Sequence, residues 1–328
     1  MKIIAMLPVR NEAWVLEHAL ANLSAFCDVI IVSDQASEDG TPGICRRFPK
    51  VVLIGTNSGD EFDRLPRRAR WRLLDAARNY DGNNFLWCTD ADELVAPAVA
   101  RAFLRDFAAG RTAPVAVSAR YVHLWKSLTR FRDDWSQYGP AWKVVGWLDD
   151  RRVDFDRDPA VRPLHEPRTP MDGDDRVINA EHLTVLHLQF ALWRRNQLKQ
   201  AWYRAVEWLD GRTTAEAING QYAITFSPLF LKTKRLPDSW TEGLTMPAAA
   251  EDDRPSWHEK EMLRLFDERG IEFFEPIEIW HVPRLRREFI RRTGRPPRSD
   301  RSHIASMPTR LQRFGRRIVR AVSRRAGL

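Results

Sequence analysis

The chain of 328 residues has few cysteines and no long apolar segment. Cys27, Cys45 and Cys88 are odd in number and lack the spacing of metal ligands, which argues against a disulfide framework and against a zinc site. No apolar run approaches the length of a membrane-spanning helix, and Met1 leads directly into strand-like sequence without a signal-peptide pattern. With 44% hydrophobic and 29% charged residues, the composition is typical of a globular protein. We therefore expect a cytoplasmic protein.

Two glycine-rich loops of nucleotide-binding α/β enzymes are also absent. No Gly-x-Gly-x-x-Gly follows the first predicted strand, Lys2–Leu7, which disfavours a dinucleotide-binding fold of the dehydrogenase kind. The Gly-rich, Lys-containing loop that nucleotidyltransferases usually carry after their first strand is missing at the same place. This absence counts against a nucleotidyltransferase, which stays an alternative because such enzymes share an α/β crevice and a metal held by carboxylates.

Positive charge is concentrated at the C-terminal end. The whole chain has a formal net charge of +8, but residues 283–328 contain fifteen Arg, no Lys and two acidic residues, so the rest is net acidic. Arginines surround one apolar helical face of this tail, formed by Leu311, Phe314, Ile318, Val319 and Val322. This pattern is typical of an amphipathic helix on an anionic membrane surface, which would attach the protein peripherally to the inner membrane face. The same charge suits a nucleic acid, and docking on the protein itself or on a partner is a third interpretation.

Strand-like and helix-like segments alternate in the first part of the chain. The predicted strands are Lys2–Leu7, Asp28–Ser33, Val51–Ile54 and Phe85–Cys88. Four alternations predict a mostly parallel sheet with helices on both faces. Polar residues follow three of the strands, namely Arg10 to Glu12 after the first, Asp34 after the second, and Asp90 and Asp92 after the fourth. Because the carboxyl ends of parallel strands meet at one sheet edge, these residues outline a nucleotide-sized crevice.

The fourth strand stops abruptly at three carboxylates. As the end of a buried strand, it delivers Asp90 and Asp92 to the sheet edge, where two carboxylates suit a divalent cation that also holds a substrate phosphate. The alternative is that Asp90 caps the next helix and that Asp92 and Glu93 lie in its first turn. The polar residues that follow the first two strands favour the metal. Glu93 is then a helix-start acid or an orienter of the loop rather than a ligand.

Three stretches carry a resemblance to a known family. They are LPVRNEAWVLEHAL from residue 7, VIIVSDQASEDGT from residue 29 and FLWCTDADEL from residue 85. In this order, at successive strand ends, they resemble the GT-A-fold glycosyltransferases of the family 2 type, with weaker support to residue 210. The resemblance implies an α/β, GT-A-like (Rossmann-like) fold with a mixed, mostly parallel sheet flanked by helices and with helical C-terminal additions.

The resemblance also implies an activity and a division into domains. The activity is metal-dependent, inverting transfer of a sugar from a nucleoside-diphosphate sugar, with a UDP-sugar expected, to an acceptor hydroxyl on a glycan, a lipid-linked saccharide or another polymer. We expect a nucleotide-sugar-binding and catalytic domain at residues 1–210 and a helical and loop acceptor-side region at 211–282. A basic extension follows at 283–328.

Individual donor-side roles follow from the matching positions. The residues that match the segment lining the nucleotide are Pro8, Arg10 and Glu12, and Asp34 matches the acid at the base. Asp90 and Asp92 match the Asp-x-Asp motif, whose first acid lies near the ribose and whose second reaches Mn²⁺ or Mg²⁺ on the diphosphate. The leaving group is a nucleoside diphosphate, so its developing charge has to be neutralised. Asp39 is interpreted as a turn residue.

Arginines on the helical pattern that starts at Pro66 are further candidates. Arg67 and Arg70 lie between two site-bearing strands, and guanidinium groups match phosphate oxygens. We select Arg70 as a residue that binds the diphosphate. The alternative is a solvated helix face, which is the usual position of a run of charges.

Two later residues complete the predicted site. In the segment VRPLHEPRTP, prolines frame His165 and Glu166, and by the family likeness Glu166 is the general base that takes the acceptor proton. Alternatively, Glu166 pairs with Arg162 or Arg168. His187 ends the apolar run VLH and resembles the late-strand histidine that completes the metal shell in such enzymes. A satisfied core histidine is the alternative for His187, and His182 is the weaker candidate.

Other functions remain open at this stage. Thirteen Trp suit a carbohydrate site, because aromatic rings stack on sugar faces, although most Trp residues pack in a core and none is assigned individually. The basic tail would also suit a glycosyltransferase that acts on modified DNA bases, or a non-enzymatic nucleic-acid-binding protein. Deletion of the tail discriminates these classes, since an enzyme would still bind a nucleotide-sugar.

Overall fold

A computed structural model describes most of the chain. The described residues are 1–55, 66–108, 115–136, 138–155, 168–170, 176–222, 231–248 and 256–298, without the side chains of 66–68 and 108. The chain forms two compact units. The first contains Met1–Leu192 and Lys232–Ala250, and the second contains Trp193–Leu231 and Glu251–Leu328.

The first unit is built on an eight-stranded sheet. The strands of this unit are β1 (Ile3–Val9), β2 (Val29–Asp34), β3 (Val51–Gly55), β4 (Phe85–Cys88), β5 (Glu93–Val95), β6 (Ala116–His123), β7 (Arg130–Arg132), β8 (Ala141–Leu148), β9 (Val177–His187) and β10 (Thr233–Arg235). The order in the large sheet is β3-β2-β1-β4-β8-β6-β9-β5, and β7 pairs with β10 in a separate ribbon. The predicted fold class, a mixed and mostly parallel sheet flanked by helices, is confirmed.

Strand direction brings many strand ends to one edge of the sheet. Strands β3, β2, β1 and β4 pair in parallel, β8 is antiparallel to both β4 and β6, and β9 is parallel to β6. Strands β1, β4, β6 and β9 therefore all end at the same edge, where β8 begins. Strand β5 is antiparallel to β9 and begins there too, with Glu93 opposite His187. This edge, which we call the carboxyl edge, is where ligands bind in open α/β sheets.

Helices cover both faces of this sheet. They are α1 (Leu16–Ser24), α2 (Thr41–Cys45), α3 (Pro66–Ala77) and α4 (Pro97–Ala108). Side chains alternate along β1, so that Leu7 packs in the cluster of α1 and α4, whereas Met6 packs in the cluster of α3. Both faces are thus buried, which explains why the strands read as continuous apolar runs. The three cysteines are buried and free.

The acidic segment after β4 does not start a helix. Glu93 begins strand β5, and the next helix, α4, starts only at Pro97. The interpretation of Glu93 as a helix-start acid is therefore wrong. Local propensity could not reveal this, because β5 exists only through its pairing with β9, which lies far along the chain.

The second unit is helical in its described part. Its α-helices are α5 (Trp193–Asp210), α6 (Ala215–Tyr222), α7 (Trp257–Arg269) and α8 (Pro283–Thr293). They share an apolar core that contains Ala201 and Phe266. The predicted domain boundary at residue 210 falls at the end of α5, whereas the compact units divide before this helix. Within the described ranges, no helix is both long enough and apolar enough to cross a membrane. The predicted tail helix lies outside the described residues.

Candidate active site

The acidic segment lies at the carboxyl edge and is held by two arginines. Arg70, on α3, donates from Nη2 to Asp90 Oδ1 at 3.1 Å. Arg168 contacts Asp90 Oδ2 and both carboxylate oxygens of Glu93, with Nη1 at 2.9 Å from Glu93 Oε2. Burial alone would raise the pKa of the Asp90 carboxyl, but the guanidinium groups of Arg168 and Arg70 hold this pKa well below its usual value. Asp90 is therefore ionised and paired with two cations.

Glu93 is fixed from several directions. Its carboxylate accepts hydrogen bonds from the hydroxyl groups of Tyr121, at 2.5 Å, and Thr89, at 3.2 Å, in addition to the contacts with Arg168. Burial raises the pKa of Tyr121 well above its usual value, and the charge of Glu93 raises it further. Tyr121 consequently stays a hydrogen-bond donor. Glu93 therefore orients Arg168 and the loop that precedes β5. Orienting the loop is the second of the two roles predicted for it.

A lysine completes the charge balance of the segment. The Lys143 ammonium lies over the Tyr121 ring, 3.9 Å from its centroid. Burial lowers the pKa of Lys143, and the positive charge of Arg168 lowers it further. Together with the two arginines, Lys143 brings three basic side chains to the carboxylates of Asp90 and Glu93. The edge is thus not a one-sided acidic patch, and it contains groups that can bind a phosphate as well as groups that can bind a cation.

Asp92 and His187 form a second pair at the edge. His187 Nε2 lies 3.3 Å from Asp92 Oδ1, and both side chains are buried. The backbone reinforces the pair, because Leu188 N donates to the carbonyl oxygen of Asp92 at 2.8 Å. Among the described residues, no group of three or more His, Cys, Asp or Glu side chains is arranged to hold a metal ion by itself. Asp92 and His187 could therefore supply two donors to a metal ion, for which a ligand or water would have to supply the others.

His187 is oriented by a second histidine. Strands β6 and β9 place His123 beside His187, and the two Nδ1 atoms are 2.9 Å apart. Burial holds the pKa of His123 well below its usual value, and the neighbouring His187 lowers it further. In a neutral imidazole one nitrogen donates a hydrogen bond and the other accepts one. In this pair, one Nδ1 therefore carries a hydrogen and donates it to a hydrogen bond that the other Nδ1 accepts. When His187 donates from Nδ1 to His123, its Nε2 lone pair faces Asp92 and can bind a cation.

The loops after β1 and β2 are joined to each other on the predicted nucleotide side. Asn11, with a left-handed φ of 54°, donates from N to Ser37 Oγ, and its side chain accepts from Glu38 N. Asp39 is a turn residue, as predicted, since it accepts hydrogen bonds from the backbone of Thr41 and of Ala13. These bonds hold the loops that carry Arg10 to Glu12 and Asp34 next to one another.

The residues predicted to bind the nucleotide lie in or directly after strands β1 and β2. Pro8 lies in β1 opposite Ser33, and Asp34 ends β2 opposite Val9. Arg10 follows β1, and the Glu12 carboxylate accepts from the indole of Trp14 at 2.6 Å. Asp34 Oδ1 accepts a hydrogen bond from Ser37 N at 3.3 Å. Both carboxylates, Glu12 and Asp34, thus already have a hydrogen-bond partner.

One predicted residue, Glu166, lies outside the described part of the chain, and the side chain of a second, Arg67, does so too. One alternative for Glu166 is an ion pair with Arg168. The described partners of Arg168 are Asp90 and Glu93.

Sequence reasoning missed four residues of this edge. Arg168, Tyr121, His123 and Lys143 were not assigned to the site. His123 could have been found, because it ends the run YVH as His187 ends the run VLH. Arg168 stands two residues after Glu166, in the proline-framed segment, but its ion pairs reach residues 75 and 78 positions away, which no local pattern indicates.

Comparisons with known proteins give only distant likenesses. No family model matches the chain, and no curated protein matches it. Glucosyl-3-phosphoglycerate synthase from Mycobacterium tuberculosis, solved with Mn²⁺ and UDP-glucose, is 18% identical over 37% of this chain and 43% of its own, with a TM-score of 0.27. Mannosyl-3-phosphoglycerate synthase from Rubrobacter xylanophilus is 24% identical over 37% and 41%, with a TM-score of 0.28.

A synthase of a diphosphocytidyl compound is among the similar structures as well. 4-Diphosphocytidyl-2C-methyl-D-erythritol synthase is 16% identical over 45% of this chain and 75% of its own, with a TM-score of 0.31. The chain matches less than half the length of the two phosphoglycerate synthases. We therefore base the function on the residues of the carboxyl edge.

Proposed function

We propose that the protein transfers a sugar, with inversion, from a nucleoside-diphosphate sugar to an acceptor hydroxyl, and that the donor is a UDP-sugar. The observation that carries this proposal is the pairing of Asp92 with His187 at 3.3 Å, beside guanidinium groups, at the carboxyl edge of the sheet. A diphosphate leaving group needs cationic partners, and this edge combines arginines with a pair of metal donors.

The Asp92 and His187 donors fit a hard divalent cation. Adjacent ligands of an octahedral ion, each about 2.1 Å from it, are about 3 Å apart. The 3.3 Å between Asp92 Oδ1 and His187 Nε2 is close to this spacing. These two residues would hold Mn²⁺ or Mg²⁺, which, when bound, neutralises charge on the leaving diphosphate. His123 sets the direction of the His187 ring, as the partners of metal-binding histidines usually do.

The other predicted residues position the nucleotide. Arg70 is an 11% exposed side chain that already binds Asp90, so its guanidinium group is desolvated and pre-oriented for a phosphate oxygen. Asp90 still has lone pairs beyond those used by two arginines and can accept from a ribose hydroxyl. Asp34 and Arg10 follow neighbouring strands, and Pro8 and Glu12 lie beside them, where they would line the nucleotide.

Glu166 is proposed as the general base. A carboxylate on the face opposite the leaving group would take the proton of the acceptor hydroxyl. Glu166 precedes Arg168 by two residues in the chain, and Arg168 itself is held at the edge by its ion pairs with Asp90 and Glu93. This supports Glu166 over acidic residues farther along the chain.

An Asp92→Asn variant tests the metal role. We expect Mn²⁺-dependent hydrolysis of UDP-glucose, or of the UDP-sugar that the wild type prefers, to fall by roughly 100-fold or more. Asp106→Asn is the matched control, because Asp106 is an exposed acid on α4. Metal-dependent turnover at the wild-type level in Asp92→Asn would refute the proposal.

A Glu166→Gln variant tests the base separately. The proton acceptor is lost, whereas the donor side is untouched, so transfer should fall by roughly 100-fold or more while the Kd for UDP with Mn²⁺ stays the same. Loss of UDP binding in this variant would assign Glu166 to the donor side instead.

A further inference from the structure

One tryptophan is far more exposed than the other large apolar side chains of the described residues. Trp135 is 94% exposed, whereas the next most exposed tryptophan, Trp142, is 49% exposed. An indole ring is the largest apolar side chain, and keeping it in water forfeits the burial that usually stabilises it. Single exposed apolar residues are common, so exposure alone assigns no role. The position of Trp135 is what gives it one.

Trp135 belongs to the connection that leads into β8 at the carboxyl edge. The chain leaves β7 after Arg132, passes Trp135, and enters β8 at Ala141. Strand β8 is antiparallel to β4 and β6, so its first residues lie at the edge where these two strands end. The acidic segment that follows β4 and His123 at the end of β6 lie at this edge. Trp135 is therefore carried on the side of the sheet where the proposed transfer takes place.

The backbone on both sides of Trp135 is held by polar contacts. Arg132 is 1% exposed and donates from Nε to Asp134 Oδ2 at 2.8 Å, and Asp134 Oδ1 accepts from Ser136 N at 3.0 Å. The backbone of Gly139 lies against that of Asp134, and a Cβ atom at position 139 would be 1.8 Å from the carbonyl oxygen of Asp134. The exposed ring thus projects from a tightly built turn, and little conformational entropy is lost when a ligand binds to it.

The same turn contacts the histidine pair. The Tyr138 ring lies edge-on to His123, with centroids 5.5 Å apart, and His123 Nδ1 is 2.9 Å from His187 Nδ1. Tyr138 stands three positions after Trp135 in the chain, so the exposed ring belongs to the connection that contacts the histidine next to His187.

We propose that Trp135 is the stacking platform for a sugar ring of the acceptor. The apolar C–H face of a pyranose covers an indole ring, and polar groups around the ring provide hydrogen bonds. Asp133, which is paired with Lys234 at 2.8 Å, stands two positions before Trp135 in the chain and offers such a group. The acceptor is accordingly a saccharide. This inference rests on the proposed function, because it names the acceptor class for that site.

Fluorine NMR on protein labelled with 5-fluorotryptophan tests the platform directly. The Trp135 resonance is identified by its loss in Trp135→Phe, and Trp147, which is fully buried, is the internal control. The probes are methyl glucosides, galactosides and mannosides, with cellobiose and maltose. We expect at least one of them to shift the Trp135 resonance in a saturable way and to leave the Trp147 resonance in place. If no probe shifts the Trp135 resonance, the platform is refuted.

The second measurement is transfer kinetics, with the saccharide that shifts the Trp135 resonance used as the acceptor. Trp135→Ala should raise the KM for this acceptor about tenfold with a small change in kcat, and Trp135→Tyr should restore most of the affinity, because tyrosine keeps a flat ring. The Kd for UDP in the presence of Mn²⁺, measured in each variant, reports whether the donor side is folded. An unchanged acceptor KM in Trp135→Ala contradicts the inference.

The two proposals fail in different ways. A wild-type protein that neither binds UDP with Mn²⁺ nor turns over a UDP-sugar contradicts the proposed function, whatever the Trp135 resonance does. A wild-type protein that turns over a UDP-sugar, but whose Trp135 resonance ignores every saccharide, contradicts only the platform.

Discussion

Arg168 and Glu93 form a two-point ion pair in which Arg168 Nη1 donates to Glu93 Oε2 at 2.9 Å and Nη2 contacts Oε1. The Glu93 side chain is 2% exposed and that of Arg168 is 16% exposed, so the pair is shielded from water. A buried carboxylate that loses its cation is costly, even where the pair itself adds little to stability. The pair therefore joins the acidic segment to residue 168 in a way that surface ion pairs do not.

Removal of the Arg168 guanidinium should destabilise the protein strongly. We expect Arg168→Met to lower the free energy of unfolding by about 3–5 kcal/mol, because it leaves Glu93 charged and buried. Urea denaturation of variant and wild type measures this difference. The matched control is Arg47→Met, which removes an exposed pair with Glu17, both side chains 55% exposed, and should cost less than about 1 kcal/mol.

A double variant separates the charge effect from lost packing. Glu93→Gln combined with Arg168→Met removes both charges, so the double variant should be more stable than Arg168→Met alone. If the two substitutions instead destabilise additively, the ion pair does not couple these residues.

His187 and His182 lie on the same strand and should respond differently to substitution. His187 is buried against Asp92, whereas His182 is exposed. We expect Mn²⁺ to raise the melting temperature of the wild type in the presence of UDP, because a ligand that binds only the folded state stabilises it. His187→Gln should lose most of this rise and His182→Gln should keep it. A full Mn²⁺-dependent rise in His187→Gln would remove His187 from the metal site.

His123 should influence the metal without contacting it. In His123→Phe the His187 ring loses the partner of its Nδ1 atom, 2.9 Å away in the wild type, and is free to adopt another tautomer. Mn²⁺ affinity, measured by titration calorimetry with UDP present, should fall roughly 10- to 100-fold. His123→Asn, which keeps a hydrogen-bonding side chain, should lose less. Equal losses in the two variants would indicate a packing role only.

Low pH should lower the stability of the second unit, because Glu275 then becomes protonated. The Arg295 guanidinium donates to both Glu275 oxygens at 2.6 and 2.8 Å and, against the effect of burial, lowers the pKa of Glu275 to about 2 from its ordinary 4.5. A lowered pKa stabilises the folded state above pH 4.5, and this contribution is lost as the pH falls from 4.5 towards 2. Glu275→Gln should therefore melt below the wild type at pH 7, and the two should converge on acidification.

Glu272 provides the control for this pH dependence. It contacts the same arginine at 2.9 Å, but its side chain is 66% exposed. Glu272→Gln should change the melting temperature less than Glu275→Gln at pH 7. A gap between Glu275→Gln and wild type that persists undiminished at pH 3 would contradict the linkage.

The strands and helices of the sheet were predictable because each depends on local pattern. The run of apolar residues that ends at Cys88 predicts strand β4, and the helical pattern that starts at Pro66 corresponds to helix α3. Both faces of the sheet are buried, so the apolar runs are continuous and their ends are clear. Asp92 is predicted as a metal ligand because it lies in the acidic segment after this strand and matches the second acid of the Asp-x-Asp motif.

Residues that meet only through long-range pairing were not predictable. Glu93 is predicted to be a helix-start acid or an orienter of the loop, and neither interpretation includes its backbone pairing with β9 or its ion pair with Arg168, 75 residues away. His123 and His187 are 64 residues apart in the chain and meet because β6 and β9 are parallel neighbours. No periodicity within one segment indicates which segment lies beside it.

The sequence by itself determined that an alternating α/β chain would bring acids such as Asp90 and Asp92 to the ends of buried strands, because strand burial and polar strand ends are local properties. The tertiary structure alone decided which side chain each acid meets. Arg70 and Arg168 pair with Asp90, and His187 faces Asp92. Strand order and register set these pairings, and both result from packing of the whole sheet.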